Sequence, residues 1–272
     1  MDTTLDRSLA VMAFLIGLIA AVPSAYSQSA PISIELSQPD QPMTLKIGIL
    51  SADIVVIGES RKDVQLEVDG GESERRIVTP SGSQAITGGS YRLSATEDNN
   101  VVKVSSDWRK STLDVVVRVP RSANLELWTT NNGSILVQGV SGEMQLQNTN
   151  GPVTVESAAG PVIAESVNDV VSVSFASLSG VSATSLTSVN GTLAVGLPES
   201  ASVQLHLDTT RGDITSDFEI EVLPSQPKVS RTEDRGKVEI AVENAIIANV
   251  NGGGPVIRMK TLNGDIEINR TP

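Results

Sequence analysis

The stretch Asn131–Val162, NNGSILVQGVSGEMQLQNTNGPVTVESAAGPV, has a glycine at every ninth position: Gly133, Gly142, Gly151 and Gly160. Apolar residues follow each glycine at the second and fourth positions, and alternate residues of a strand share one face. Each nine-residue unit therefore predicts a short strand with a buried face, followed by a tight turn. The predicted inward residues are Ile135, Val137, Met144, Leu146, Val153, Val155, Val162 and Ala164.

Self-similarity at a fixed period is typical of solenoids, because one strand-turn unit cannot bury its apolar face alone. The fold class we predict is all-β: a β-solenoid, a single-chain, β-helix-like stack of short strands with Gly and Asn turns. A meander of β-hairpins is the alternative. Near-identical units favour the solenoid, since hairpin turns have no reason to resemble one another. These units are TNNGSILV, NTNGPVTV, SVNGTLAV and TLNGDIEI.

We expect the glycines to supply the positive φ angles that turns require. Downstream the repeat changes register in two places. After Gly180 the pattern places Val181 and Ala183 on the inner face, and after Gly254 it places Ile257 and Met259 there.

Residues 1–27 have the layout of a secretory signal peptide. The apolar run Leu9–Val22 is shorter than the ~20 residues of a membrane-spanning helix. Arg7 precedes it, and Ala25 and Ser27 occupy the −3 and −1 positions of a cleavage site. An uncleaved N-terminal anchor is the alternative, and the absence of cysteine excludes a lipid anchor. We therefore expect export to the periplasm or the cell surface, with no stable membrane span after cleavage.

After the signal peptide, residues 28–120 read as a β-strand region that forms the first coils of the same solenoid. Residues 121–272 carry the regular repeats. Asp69–Ser90 is polar and rich in Gly and Ser, which predicts a surface loop. An irregular, charged insertion near 221–237 (Glu221–Lys237) is expected to project from the solenoid and to cap its C-terminal edge.

Composition excludes several functional classes. The formal net charge is −12, so a nucleic acid would meet net repulsion and we predict no nucleic-acid partner. With no cysteine, the chain can form neither disulfides nor a thiolate metal site.

The segment LDVVVRVPRSANLELWTTNNGSILVQGVSGEMQLQNTNGPVTV (113–155), together with GGGPVIRMKTLNGDIEI (252–268), resembles the putative-adhesin family of bacterial envelope proteins. The shared features are a strand ending in VP, the recurring T-x-N-G-x-I turn and the C-terminal TLNGDIEI. The resemblance covers roughly residues 45–270 and implies an extracytoplasmic β-solenoid, in some cases encoded near envelope-stress regulators. The family offers no catalytic residues to transfer.

No catalytic, cofactor-binding or metal-binding residue is assigned from the sequence. The single histidine, His206, alternates with Val203, Leu205 and Leu207 and is therefore expected on the outer face. Glycoside hydrolysis needs two facing carboxylates, and the acidic residues near the turns are scattered; these are Glu165, Asp169, Asp213 and Asp265. We predict no cofactor.

Two motifs resemble known binding motifs, a calcium-binding repeat and a cell-adhesion tripeptide, but neither has the residues or the context that such binding requires. Calcium-binding nonapeptide repeats need an aspartate in each turn, whereas Ser134, Glu143, Pro152 and Pro161 follow the four glycines. The tripeptide Arg211–Asp213 reads RGD, but TTRGDIT occupies the same place in the repeat as TLNGDIE, which indicates an ordinary turn.

Polar residues beside the turns are expected to stack into ladders that satisfy backbone groups. Several rows together could also present a binding surface. The residues are Asn131, Asn148, Asn150, Ser188, Asn190, Thr209, Thr210 and Thr261.

The function we predict is that of an exported, non-enzymatic, adhesin-like binding or scaffold protein of the bacterial cell envelope. Its expected partner is an envelope protein or a glycan. One alternative is a polysaccharide-active β-helix enzyme that uses acidic residues, which would gather three or more ionisable side chains in one groove. A second alternative is a periplasmic partner of an envelope-stress regulator.

Overall fold

The computed structural model describes residues 31–69, 75–78, 84–87, 93–106, 112–131, 133–224, 228–234, 237–243 and 245–271. These residues form strands and connecting turns, and no helix occurs among them. The described part of the chain is therefore all-β. The predicted signal peptide, residues 1–27, lies outside the described residues.

The strands follow one another along the chain in short segments. The first ten are β1 (Ile32–Glu35), β2 (Thr44–Gly48), β3 (Ala52–Glu59), β4 (Asp63–Asp69), β5 (Arg75–Val78), β6 (Gln84–Thr87), β7 (Leu93–Asp98), β8 (Val101–Ser106), β9 (Leu113–Pro120) and β10 (Asn124–Thr129). The next seven are β11 (Ile135–Gln138), β12 (Met144–Asn148), β13 (Val153–Ala158), β14 (Val162–Ser166), β15 (Val171–Phe175), β16 (Ala183–Ser188) and β17 (Leu193–Leu197). The last eight are β18 (Val203–Arg211), β19 (Ile214–Ser216), β20 (Ile220–Leu223), β21 (Lys228–Asp234), β22 (Lys237–Glu243), β23 (Ile246–Val250), β24 (Val256–Asn263) and β25 (Ile266–Arg270).

Two large mixed sheets contain most of these strands. The first sheet has the order β1-β4-β9-β3-β11-β13-β15-β17-β25-β19, and the second has the order β20-β23-β18-β24-β16-β14-β12-β10-β2-β8-β7. The pairs β21–β22 and β5–β6 each form a separate two-stranded sheet.

A strand of the second sheet is followed in the chain by a strand of the first, and each such pair forms one layer. Neighbouring layers pair in parallel and in register, so that Met144 of β12 lies between Leu125 and Val162. Val153 of β13 likewise lies between Ile135 and Val171. The core is formed by the inner faces of both sheets, mainly by Val, Ile, Leu and Ala. All eight residues predicted from the glycine repeat to point inward are buried.

The order of the layers in space differs from their order in the chain at both ends. The layer β2–β3 pairs with β10–β11 on one side and with β8–β9 on the other. The C-terminal layer β24–β25 likewise lies between β16–β17 and β18–β19. Antiparallel strands complete the edges: β23 and β20 follow β18, and β7 follows β8.

The turn glycines have a different role from the expected one. Positive φ occurs at Gly139, Gly180, Gly252 and Gly253 among the described glycines, and none of these belongs to the nine-residue repeat. At Gly151 a Cβ atom would overlap the carbonyl oxygen of Gly133 in the layer below. The repeat glycines are therefore required because successive turns stack in close contact.

The register after Gly180 is partly corrected by the structure. Val181 is buried as expected, but Ala183 is exposed and Thr184 takes the inner position. The Thr184 hydroxyl is buried without a hydrogen-bond partner. The register after Gly254 is confirmed, because Ile257 and Met259 are fully buried.

Two segments predicted to be irregular contain strands. The predicted loop Asp69–Ser90 includes the hairpin β5–β6, and the insertion near 221–237 includes part of β20, all of β21 and the start of β22. The insertion was expected to cap an open C-terminal edge, and this expectation is wrong because that edge is not open. The last strand, β25, is not an edge, since it pairs with β17 and β19.

Candidate functional site

An asparagine ladder runs along the turns that lead from the second sheet to the first. Asn168 Nδ2 donates to Asn150 Oδ1 at 2.7 Å, Asn190 Nδ2 donates to Asn168 Oδ1 at 3.0 Å, and Asn263 Nδ2 donates to Asn190 Oδ1 at 2.8 Å. Asn150 itself donates to the carbonyl of Thr130. These amides bind one another and the backbone, so the row is mainly structural.

A second ladder lies just inside the first. Asn148 donates to the Gly133 carbonyl at 2.8 Å, and Ser166 donates to the Gly151 carbonyl at 3.0 Å. The same type of bond, from a side chain to a turn carbonyl of the neighbouring layer, is made by Ser188, Thr261 and Thr209. The predicted ladders are confirmed for Asn148, Asn150, Ser188, Asn190, Thr209 and Thr261. Ser166 was not among the predicted residues, and the predicted residues Asn131 and Thr210 are exposed.

The RGD tripeptide forms the turn between β18 and β19. Arg211 Nη1 donates to Asn263 Oδ1 at 3.1 Å and so ends the asparagine ladder. The Asp213 amide donates to Asp265 Oδ1 at 2.9 Å. Both terminal residues of the tripeptide therefore take part in contacts between layers.

The residues considered for catalysis do not converge. His206 is half-buried on the outer face of the second sheet, and its Nε2 lies 3.1 Å from Gln204 Oε1. Burial first, and then the positive charge of Arg258, lower the pKa of His206. Glu165 lies on the outer face of β14 near Gln147, while Asp169 accepts the amide of Val170 in its own turn. Asp213 and Asp265 occupy adjacent turns.

Three aspartates form a row across the outer face of the first sheet. Asp114 of β9 pairs in register with Asp53 of β3 and with Asp69 of β4. Burial first, and then the charges of Asp53 and Asp69, raise the pKa of Asp114. Asp53 is already engaged, since its Oδ1 accepts both the amide and the hydroxyl of Ser134. Among the described residues, no group of three or more His, Cys, Asp or Glu side chains is placed to hold a metal ion.

The most distinctive surface feature is an exposed tryptophan on the outer face of the second sheet. Trp128 is 44% exposed, and it pairs in register with Gly48 on the neighbouring strand β2. A Cβ atom at residue 48 would overlap the indole ring near Nε1, so the ring lies against the backbone of β2. Glycine at this position allows the indole to lie across the sheet.

Grooves lie on both sides of this indole. One, of about 270 Å³, is lined by Gln145, Gln147 and Ile163 together with Glu126 and Trp128. The other, of about 280 Å³, is lined by Lys46, Gly48, Lys103, Ser105, Glu126 and Trp128. We call this surface the Trp128 face: Lys46, Gly48, Lys103, Glu126, Trp128, Gln145, Gln147 and Ile163.

The charged groups of the Trp128 face lie in one row across three strands, and Gln145 continues this row on a fourth. Lys103 of β8 pairs in register with Lys46 of β2, Lys46 with Glu126 of β10, and Glu126 with Gln145 of β12. Lys46 Nζ lies 2.7 Å from Glu126 Oε2. The ammonium of Lys46 is therefore compensated by a carboxylate of the same face.

Sequence reasoning missed the Trp128 face. The pairing of β2 with β10 brings together residues 80 positions apart, such as Gly48 and Trp128. A signal was present, because Gly48 interrupts an alternating strand pattern and such a glycine indicates close approach of another group.

No family model matches the chain, and no curated protein matches its sequence. A solved structure of a putative cell adhesion protein from Clostridium sporogenes is similar at 11% identity and a TM-score of 0.46, over 89% of this chain and 100% of that one. A putative adhesin from Bacteroides fragilis is similar at 10% identity and a TM-score of 0.36, over 89% of this chain and 96% of that one. At this level of similarity, the functional argument rests on the geometry of the face itself.

Within the described residues, no helix has the length and apolar character needed to cross a membrane.

Proposed function

We propose that the chain is an exported, non-enzymatic β-solenoid that acts as an adhesin-like binding or scaffold protein of the bacterial cell envelope. The stacking of two-strand layers in parallel register supports the solenoid. The predicted signal peptide supports export to the periplasm or the cell surface. The partner is an envelope protein or a glycan, and the net charge of −12 disfavours nucleic acid.

The observation that carries this proposal is the exposed indole of Trp128, held flat against Gly48 between two grooves. Large aromatic side chains dominate the energetics of binding surfaces, and tryptophan is enriched at their centres. Leaving such a ring exposed costs solvation free energy that binding would recover. The polar ladders are not the proposed binding surface, since their hydrogen-bonding groups are engaged within the fold.

A binding assay with envelope fractions tests the proposal. Purified protein is expected to co-sediment with bacterial envelope fractions, and Trp128→Ala should weaken this binding at least tenfold. Leu262→Ala is the matched control, because Leu262 is 45% exposed and lies near the end of β24, four strands from the strand β10 that carries Trp128. Equal binding by Trp128→Ala and the parent protein would show that this face is not the binding surface.

The second candidate function is a polysaccharide-active enzyme, and one observation favours it. The groove beside Trp128 collects three ionisable side chains, Lys46, Lys103 and Glu126. Against it, the one carboxylate in this groove is paired with Lys46, whereas hydrolysis by the common glycosidase mechanisms uses two carboxylates. Prolonged incubation with polysaccharides, followed by an assay for new reducing ends, distinguishes the two functions. A binding protein releases none.

A further inference from the structure

Among the described residues, Lys103 is a positive charge without an ion pair at one end of the Trp128 face. Its neighbour Lys46 is neutralised by Glu126 at 2.7 Å, whereas Lys103 is exposed and makes no ion pair with the described residues. The chain as a whole carries a net charge of −12. Within the described residues, an exposed ammonium without an ion pair therefore lies beside an exposed aromatic ring.

The Trp128 face presents an ammonium, an indole and two amides, one after another across neighbouring strands. Lys103 lies on β8, the indole of Trp128 occupies the space over β2 and β10, and the amides of Gln145 and Gln147 follow on β12. With strands about 4.8 Å apart, this sequence spans roughly 14 Å. Gln147 Nε2 also donates to Glu165 Oε2 at 3.2 Å, which fixes the orientation of its amide.

This combination fits a carbohydrate better than a protein. Stable protein interfaces bury about 800 Å² on each partner, with an apolar centre. The Trp128 face offers only two exposed large apolar side chains, Trp128 and Ile163. A sugar ring has an apolar C–H face that can stack on an indole, and it has hydroxyl groups that can exchange hydrogen bonds with glutamine amides.

We propose that the Trp128 face binds an acidic polysaccharide. One sugar ring stacks on Trp128, a carboxylate of the same polysaccharide pairs with Lys103, and hydroxyl groups of the chain hydrogen-bond to Gln145 and Gln147. This inference rests on the proposed binding function and specifies its ligand class. The charge on Lys103 complements the carboxylate at short range. The net charge of −12 opposes any polyanion at a distance, but at physiological ionic strength charges more than about 8 Å away are largely screened. The grooves on both sides of the indole accommodate a chain that crosses the strands.

Polygalacturonate and its fully methyl-esterified form provide a matched pair of probes, because they share one backbone and differ in charge. Binding of the full-length protein to each polymer is measured by affinity electrophoresis. The parent protein is expected to bind polygalacturonate about tenfold more tightly than the ester. Lys103→Gln should remove this preference, while Trp128→Ala should weaken binding to both polymers at least tenfold. Added salt should weaken binding to the acidic polymer alone.

Lys260→Gln is the charge-matched control. Lys260 lies on the same face of the second sheet, four strands from Trp128 or about 19 Å, and its Nζ lies 3.0 Å from Asp208 Oδ2. This variant changes the net charge as much as Lys103→Gln does, and it should bind like the parent.

The proposal is overturned if the parent binds the two polymers equally, if it binds neither, or if Lys103→Gln keeps the preference for the acid. It is also overturned if Lys260→Gln loses binding as Lys103→Gln does, because the effect would then reflect net charge alone. Each of these outcomes leaves the broader proposal to be decided by the envelope-fraction assay. A Trp128→Ala variant that fails in that assay but binds polygalacturonate like the parent would indicate a protein partner.

Discussion

At the scale of single residues, the repeat glycines are set by contact between layers. A β-branched side chain at Gly151 would overlap the Gly133 carbonyl, and both backbones are held in place by parallel pairing. We therefore expect Gly151→Val to lower the free energy of unfolding by about 3 kcal/mol. Thr154→Val, on the outer face of β13, should change it by less than about 0.5 kcal/mol. Denaturant midpoints for the two variants test this; equal midpoints would contradict the contact argument.

Asp114 gives a prediction about pH. Because the folded-state pKa of Asp114 is raised, the native state binds this proton more tightly than the unfolded state. The resulting stabilisation is present below the unfolded pKa of about 3.9 and is lost as the pH rises through the folded pKa. Asp114→Asn should therefore raise the melting temperature at pH 7, and this advantage should shrink as the pH falls below 4.

Asp63 is the opposite case and serves as the control for Asp114. Its hydrogen bond from Arg61 first, and then the one from Ser33, lower the pKa of Asp63. This stabilisation is present above the unfolded pKa and is lost as the pH falls through the folded pKa. Asp63→Asn should lower the melting temperature at pH 7 and have little effect at low pH. Effects of the same sign for both variants would contradict the assigned pKa directions.

At the scale of strands and turns, period and spacing predicted the inner faces because local alternation determines them. Ile135 and Val153 follow directly from the glycine repeat, and both are buried. The prediction for Ala183 was wrong. Alanine was assigned to the inner face because it is apolar, but the alternation of β16 places Thr184 on that face instead. The Trp128 face was also beyond the pattern, since it depends on the pairing of β2 with β10. Local sequence carries no information about which distant strand becomes a neighbour.

The asparagine ladder gives a prediction at the level of the turns. Asn190 donates to Asn168 and accepts from Asn263, so Asn190→Ala removes two side-chain bonds between three layers. Because these groups are exposed, we expect a loss of only about 1 kcal/mol in unfolding free energy. Asn131→Ala is the control, since Asn131 is exposed and makes no side-chain hydrogen bond among the described residues. If the two variants unfold at the same denaturant concentration, the ladder does not stabilise the stack.

At the scale of the whole molecule, the stack of layers is completed by a layer inserted between two others. The layer β24–β25, last in the chain, fills a position between two layers that precede it in sequence. Until that layer is in place, β16 and β17 each lack one of their two parallel partners, and β18 and β19 lack the parallel partner they have in this sheet. Unpaired strand edges of this kind promote association with other chains. The coherence of the stack therefore depends on a layer that follows both of its neighbours in sequence.

Removing residues 255–272 tests this closing role. The truncation takes away four fully buried side chains, Ile257, Met259, Ile266 and Ile268. At about 2 kcal/mol each, their loss approaches the whole stability of a typical domain. The truncated protein is expected to unfold or to self-associate in sedimentation velocity.

The control deletes residues 225–244, which contain β21 and β22. These strands pair only with each other among the described residues. This deletion leaves a short connection between Leu223 and Ile247, which already pair in register, so the protein should remain folded and monomeric. A monomeric, cooperatively folded product from the first deletion would show that the stack closes without its inserted layer. Self-association of the protein that lacks residues 225–244 would instead indicate that the insertion prevents association with other chains.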